Sequence, residues 1–227
     1  MNAATVVLLR DGSQGLELLM VRRDSRIAFA GGHWVFPGGR VDDEDRAGVE
    51  GELEAARRAA VREAMEEVGL SLDGGGLIPF SHWTPPAIAP KRYLTWFFVA
   101  EATADAVTID DHEIRDHAWL RPADALARRN AGEIELGPPT WITLEQLQPR
   151  RSVGEALDWA RSNEPERFAT RIAGVDGGAV ALYHGDAGYE ATDATVPGPR
   201  HRLWMVADGW RYERDAPPRE REARPRR

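Results

Sequence analysis

One stretch of the chain, residues 62–70 with the sequence REAMEEVGL, decides the fold. A helix turns about 100° per residue, so Glu63, Glu66 and Glu67 fall on one face within about 100° of arc. The apolar residues of the opposite face are expected to pack on a sheet, and they are Val61, Met65 and Val68. The pattern predicts an amphipathic helix with an acidic face from about Leu53 to Val68.

Three carboxylates on one helix face repel one another. At a separation of about 5 Å and an effective dielectric of about 20, each pair costs roughly 3 kcal/mol. A divalent cation converts this repulsion into attraction, and ligands that are all oxygen atoms suit Mg²⁺ or Mn²⁺. The acidic face therefore predicts a site for a cation that binds diphosphates.

A glycine pair lies upstream of this helix, in the segment Phe36-Pro37-Gly38-Gly39, where backbone can approach a ligand closely. Together the two segments resemble the Nudix box, Gly-x5-Glu-x7-Arg-Glu-U-x-Glu-Glu-x-Gly-U, in which U is a bulky apolar residue. The positions that fit the box are Glu54, Arg62, Glu63, Glu66, Glu67, Gly69 and Leu70.

The glycine of the box has two candidates in this chain. Gly48 lies at the literal spacing from Glu54, whereas Gly39 follows an apolar strand and has a physical role in the turn. We take Gly39 as the box glycine. The compact spacing from Gly39 reaches position 45, nine residues before Glu54, which predicts a nine-residue surface insertion between residues 41 and 53.

The resemblance implies roles for individual residues. Glu63 is implied to bind metal and help deprotonate water, with Glu66 and Glu67 as the main metal ligands. Arg62 is implied to orient the carboxylates, with Glu66 in reach at i+4. The residues that could complete the metal shell, or bind its waters, are Gly38, Gly39, Glu54 and Glu113.

The segment Leu18 to Gly39 resembles the coenzyme A diphosphatase branch of the family. Coenzyme A carries a 3′-phosphate, so the substrate requires a basic contact. The candidates are Lys91 and Arg92 in a proline-flanked loop, with Arg22, Arg23 and Arg26 as alternatives. Other substrates stay open: ADP-ribose, dinucleotides, NADH and damaged nucleoside triphosphates. A non-catalytic Nudix module that binds metabolites is an alternative of another class.

The order of predicted elements indicates an α/β fold. The resemblance implies a Nudix-type α/β/α sandwich around a mixed sheet, over residues 1–150. Residues 151–214 are predicted to form a small C-terminal α+β extension packed on the main domain. Residues 215–227, rich in proline and arginine, are predicted to be a disordered tail.

The composition excludes several classes of protein and of functional site. The chain has 227 residues and no cysteine, which excludes disulfides, zinc–thiolate sites and thiol nucleophiles. The sequence lacks an apolar run near 18 residues and a signal-peptide pattern, so we expect a cytoplasmic protein without a membrane span. A net charge of −8 argues against nonspecific nucleic-acid binding. The expected partner is a small nucleoside diphosphate derivative, and a homodimer stays open.

Overall fold

The computed structural model describes residues 1–26, 30–104, 106–109 and 113–215. The predicted tail therefore lies outside the described residues, except for Asp215. Five α-helices are present in the described part: α1 (Asp43–Arg46), α2 (Glu52–Val68), α3 (Pro122–Asn130), α4 (Pro138–Leu147) and α5 (Val153–Ser162). None of the helices in these ranges is long and apolar enough to cross a membrane.

Twelve strands of the described residues form two sheets. The strands of the larger sheet are β1 (Asn2–Gly12), β2 (Gly15–Arg23), β3 (Trp34–Val35), β4 (Gly38–Arg40), β5 (Ile78–Thr84), β6 (Leu94–Glu101), β7 (Ile114–Leu120) and β8 (Glu166–Ala169). Those of the smaller sheet are β9 (Arg171–Val175), β10 (Gly178–Leu182), β11 (His201–Val206) and β12 (Gly209–Arg214).

The larger sheet has the order β3-β2-β1-β6-β5-β8, with β4 paired to β1 and β7 paired to β2. The pairs β1–β6 and β5–β8 are parallel, while the other pairs are antiparallel. The predicted mixed sheet of an α/β fold is thereby confirmed. The predicted glycine turn proves to be a strand, because Gly38 and Gly39 pair with Thr5 and Ala4 of β1.

The two faces of the larger sheet carry separate cores. Alternate residues of β1 point to opposite faces, so Val6 and Leu8 face α2, while Val7 and Leu9 face α3, α4 and α5. Helix α2 packs through five buried alanines, Ala55, Ala56, Ala59, Ala60 and Ala64. Their small side chains let the helix lie close to the sheet.

The packing face of α2 differs from the sequence prediction. Met65, which was expected against the sheet, is 49% exposed. The alanine side of the helix packs instead, and Glu63 and Glu67 lie on this side. The acidic face therefore points into the space between the helix and β4 rather than away from the sheet.

The smaller sheet shares a core with the larger one. Tyr183 and Leu203 belong to the same buried cluster as Phe97, and Trp83 of β5 stacks on Phe168 of β8 with ring centroids 3.9 Å apart. Strand β8 was not predicted from the sequence. The division of the chain at residue 150 stays a prediction.

A buried polar network connects the two sheets. Glu166 of β8 accepts hydrogen bonds from Arg214 of β12 at 2.5 Å and from Gln146 of α4 at 3.1 Å. His201 of β11 donates from Nδ1 to the carbonyl of His184, because a carbonyl only accepts, and its Nε2 is left to accept from Tyr212 at 2.8 Å. Burial lowers the pKa of His201, which fits this neutral ring.

We predict that Glu166→Ala strongly destabilises the protein. The substitution leaves the guanidinium of Arg214, only 17% exposed, without its carboxylate. Breaking a buried ion pair in this way costs about 3–5 kcal/mol in the free energy of unfolding. Urea unfolding followed by tryptophan fluorescence measures this difference.

Asp158→Ala is the matched control, since Asp158 and its partner Arg161 are 79% and 57% exposed. That change should shift the free energy of unfolding by no more than about 0.5 kcal/mol. Equal effects of the two substitutions would show that Glu166 does not hold the sheets together.

Candidate active site

The carboxylates of the REAMEEVGL stretch lie in the second half of α2. The helix ends at Val68, and Gly69 caps it in the left-handed conformation with φ of 69°. The N–H of Gly69 reaches the carbonyls of Ala64 and Met65. Only glycine takes this conformation without strain, so the helix stops one turn beyond Glu63.

Strand β4 runs directly beneath this part of the helix. The N–H of Gly38 donates to Oε2 of Glu67 at 2.8 Å. A Cβ atom at Gly39 would collide with the carboxylate of Glu63. Gly39 therefore leaves the space that the carboxylate of Glu63 occupies, while a side chain at Gly38 would collide with the backbone of β1.

Burial makes these carboxylates costly to ionise. Glu67 is only 5% exposed, and this burial raises its pKa to about 8, with the hydrogen bond from Gly38 opposing the shift. Burial also raises the pKa of Glu63, against the charge of Arg62. The charge of Glu113 raises the pKa of both, which places it near them.

Arg62 connects the carboxylates to the strand and the insertion. Its Nη1 donates to Glu63 at 2.9 Å and to Glu66 at 2.8 Å. Its Nη2 donates to the carbonyl of Arg40 at 2.9 Å and to Asp45 at 3.0 Å. The predicted contact between Arg62 and Glu66 is present, and a single guanidinium orients two glutamates at once.

The acidic partners of Arg62 outside α2 are Asp45 at 3.0 Å and Asp42 at 3.7 Å, and Glu54 is not among them. Glu54 pairs with Arg57 at 3.2 Å, and its side chain is half exposed. Asp45 lies at position 45, which the compact box spacing from Gly39 reaches, and its side chain is 5% exposed. The expectation that the acidic run of the insertion stays at the surface is wrong for this residue.

Local structure explains how Asp45 is held. Asp42 and Asp45 form a capping box around the short helix α1, and the N–H of Asp42 donates to Asp45 at 2.9 Å. The insertion therefore follows Asp45 rather than preceding it, and the extra residues include the loop between α1 and α2. A search for an acid six residues after Gly39 would have found Asp45 in the sequence.

Two residues at the ends of neighbouring strands complete the charged surroundings. Arg23 ends β2 and donates to Glu113, just before β7, at 2.7 Å. The charge of Arg23 also lowers the pKa of Glu67. The structure thus places Glu113 beside Arg23, near the cluster, and its part in binding metal stays a prediction. The sequence analysis considered Arg23 only as a contact for phosphate. Its position after the apolar residues of β2 is the pattern that could have indicated a role beside the carboxylates.

The other basic candidates fall in two places. Arg22 lies 3.9 Å from Asp116, and Arg26 holds Asp24 with a bidentate pair at 2.7–3.2 Å, both near the end of β2. Lys91 and Arg92 are exposed and precede β6, where Arg92 reaches the carbonyl of Pro85 at 3.3 Å.

The strand register separates this second pair from the carboxylates. Gly39 and Trp96 both pair with Ala4, on opposite sides of β1. Lys91 precedes Trp96 by five residues, a further distance of about 16 Å along an extended chain. The structure does not bring Lys91 and Arg92 to the acidic cluster.

The chemistry of the cluster fits a divalent cation. It offers carboxylate oxygens, of which those of Glu67 are buried, and a space at Gly39 that a side chain would fill. Within the described ranges, no three His, Asp or Glu side chains are already arranged to hold a metal ion. The carboxylates are instead held by Arg62, Gly38 and Arg23, so binding a cation requires local rotation of these side chains.

Comparison with known proteins agrees with this architecture. The family model of the NUDIX domain matches residues 1–138, more than half of the chain, and the chain belongs to this family. A stretch of 71 residues is 41% identical to the peroxisomal coenzyme A diphosphatase ndx-8 of Caenorhabditis elegans. This match covers 31% of the chain and only 27% of the worm protein.

Solved structures show the same fold. The NUDIX hydrolase of Alicyclobacillus acidocaldarius aligns with a TM-score of 0.63 at 23% identity, over 69% of this chain and 95% of that one. The NUDIX domain of Shewanella oneidensis NrtR, complexed with ADP ribose, aligns with a TM-score of 0.50 at 19% identity. This second alignment covers 66% of the present chain and 86% of the other.

We predict that Asp45→Ala destabilises the protein by about 1–3 kcal/mol, because it removes the acceptor of Nε and one of the two acceptors of Nη2 from the partly buried guanidinium of Arg62. Asp43→Ala is the control, since Asp43 is fully exposed and only 3.5 Å from Arg46. Chemical unfolding at neutral pH compares the two variants. If Asp45→Ala leaves the free energy of unfolding unchanged, Asp45 does not anchor Arg62.

Proposed function

We propose that this chain hydrolyses a phosphoanhydride bond in a nucleoside diphosphate linked to another group, with Mg²⁺ or Mn²⁺ as the cation. The observation that carries the proposal is the placement of Glu63 and Glu67 against the Gly38–Gly39 backbone, where burial and like charge disfavour their ionised forms. Such a site gains most from a cation, and diphosphates are the common substrates of cation-loaded carboxylates.

The residues of the chain have distinct roles in this proposal. Glu63, Glu66 and Glu67 would hold the cation, which when bound neutralises the diphosphate and activates water. Glu63 would accept a proton from the attacking water, and Arg62 keeps Glu63 and Glu66 oriented through its two contacts. Glu113, which accepts a hydrogen bond from Arg23, is the additional acid near the three glutamates.

The substrate proposed first is coenzyme A or an acyl-CoA. Two observations support this choice: the resemblance over Leu18 to Gly39, and the partial similarity to a protein named as a coenzyme A diphosphatase. A non-catalytic module is disfavoured, because Glu63, Glu66 and Glu67 are all present and two of them contact or adjoin the glycine strand.

We expect purified protein with Mg²⁺ or Mn²⁺ to release nucleotide products from coenzyme A faster than from ADP-ribose, diadenosine polyphosphates, NADH or nucleoside triphosphates. Glu67→Gln should lower kcat at least about a hundredfold, since each tenfold corresponds to about 1.4 kcal/mol of lost transition-state stabilisation. Chromatographic product analysis and kcat measured at saturating metal provide the test.

Glu133→Gln is the control for this experiment, because Glu133 is exposed in the loop before α4. Hydrolysis of another panel member at a higher kcat/KM would replace the coenzyme A assignment. Absence of hydrolysis across the panel, with intact folding, would overturn the hydrolase proposal itself.

For the 3′-phosphate of coenzyme A, we propose Arg26 rather than Lys91. The guanidinium of Arg26 is 78% exposed and is held in place by Asp24, whose backbone N–H bonds the carbonyl of Glu113 at 2.8 Å. It is thus an ordered, accessible cation beside the acidic cluster. Arg22, on the same strand end, is the second choice.

Arg26→Ala should therefore reduce kcat/KM for coenzyme A about tenfold or more, the usual loss for a charge-assisted contact. It should affect dephospho-coenzyme A much less, because that compound lacks the 3′-phosphate. Lys91→Ala should leave both values unchanged. Parallel losses on both compounds for Arg26→Ala would assign it a role other than 3′-phosphate recognition.

A further inference from the structure

The N-terminal end of α2 lies far from the acidic cluster. Glu52 begins the helix and Glu67 lies fifteen residues later, a separation of about 22 Å along the helix axis. The N-cap residue is Gly51, with φ of 89°, and no side chain caps the helix. A Cβ atom added at Gly51 would have no neighbour within 4 Å, and the first N–H groups of α2 have no side-chain acceptor.

Two buried side chains with unpartnered polar atoms adjoin this end of the helix. His82 of β5 and Trp96 of β6 are register partners, and their ring centroids are 4.6 Å apart. They are 8% and 9% exposed, and neither Nε2 of His82 nor Nε1 of Trp96 has a hydrogen-bond partner. In the described residues eight buried side-chain polar atoms lack a partner, and these two lie next to each other on adjacent strands.

The ring of His82 points at the first turn of α2. Its Nε2 lies 3.7 Å from Oε1 of Glu52, which is too long for a hydrogen bond. The distance leaves both atoms available to a third group. Arg167 of β8 is the register partner of His82 on the other side, so its exposed side chain projects from the same face of the sheet.

The groups that lack partners here are donors or can act as donors. Trp96 Nε1 only donates, the uncapped N–H groups of α2 donate, and His82 Nε2 donates in one of its two neutral tautomers. Arg167 adds positive charge, and the helix dipole favours an anion at this end. Glu52 is the opposing group, but its side chain is 47% exposed and can rotate into solvent.

We infer that this corner, formed by the first turn of α2 with His82, Trp96 and Arg167, binds an oxyanion of the phosphate or phosphate monoester class. The site lies at the opposite end of α2 from Glu67, and Trp96 is two strands away from Gly39, because both pair with Ala4. Binding would satisfy the unpartnered donors in one step, as anions do at other helix N-termini. The proposal does not depend on which substrate the protein hydrolyses.

The indole N–H resonance of Trp96 is the direct reporter. In ¹⁵N-labelled protein without metal, this resonance should shift saturably with inorganic phosphate and not with chloride of equal ionic strength. Trp96→Phe assigns the resonance by removing it. A parallel titration with a nucleoside monophosphate identifies whether free phosphate or a phosphate ester binds more tightly.

Two substitutions should change the affinity in opposite directions. His82→Phe keeps the ring and removes a donor, so the dissociation constant should rise about tenfold. Glu52→Gln removes the opposing charge, so the constant should fall about threefold or more. Glu50→Gln, an exposed neighbour before the helix, should leave it unchanged. A purely structural role of His82 would not predict tighter binding in Glu52→Gln.

A saturable shift with this pair of opposite effects supports the site. No saturable shift in the wild type, or weaker binding in Glu52→Gln, would overturn it. Thermal unfolding of each variant without phosphate shows whether the fold is retained, and a phosphate titration of folded Glu52→Gln alone suffices if His82→Phe does not fold. Failure of hydrolysis on the nucleotide panel would leave this result unaffected.

Discussion

Close approach of an acidic helix to a glycine strand is the constraint on which the rest of the structure depends. The carboxylate of Glu63 lies against β4 because Gly39 has no side chain there, and Glu67 accepts a hydrogen bond from the N–H of Gly38. The alanine face of α2 brings the helix down to the sheet, and Gly69 ends it before the next strand. Without these two conditions the carboxylates would remain in solvent, where their repulsion would be screened.

Arginine side chains balance the negative charge of the clustered glutamates. Arg62 bridges Glu63 and Glu66, and Arg23 lies between Glu67 and Glu113. Asp45 fixes Arg62 from the opposite side, which explains why α1 has a capping box although it is only one turn long. The loop between α1 and α2 can therefore be long, because Asp45 has already made the contact that the fold requires.

The C-terminal residues complete the opposite face of the same sheet. Strand β8 extends the larger sheet, and the smaller sheet covers aromatic side chains such as Trp83 and Phe168. Glu166 and its partners satisfy the polar groups enclosed by this contact. In the described residues, α2 covers the part of the other face that carries the acidic cluster.

The sequence by itself determined the acidic helix, its end at Gly69, the mixed α/β fold and the contact between Arg62 and Glu66, since these follow from local periodicity and capping. Three features came from the three-dimensional packing alone. Asp45 rather than Glu54 contacts Arg62, Arg23 donates to Glu113, and Lys91 lies away from the cluster. Strand β8 and the role of the glycine pair as a strand also escaped prediction, because short strands form only through pairing with distant residues. Contacts between residues far apart in the chain depend on sheet register and helix packing, and single-chain patterns contain neither.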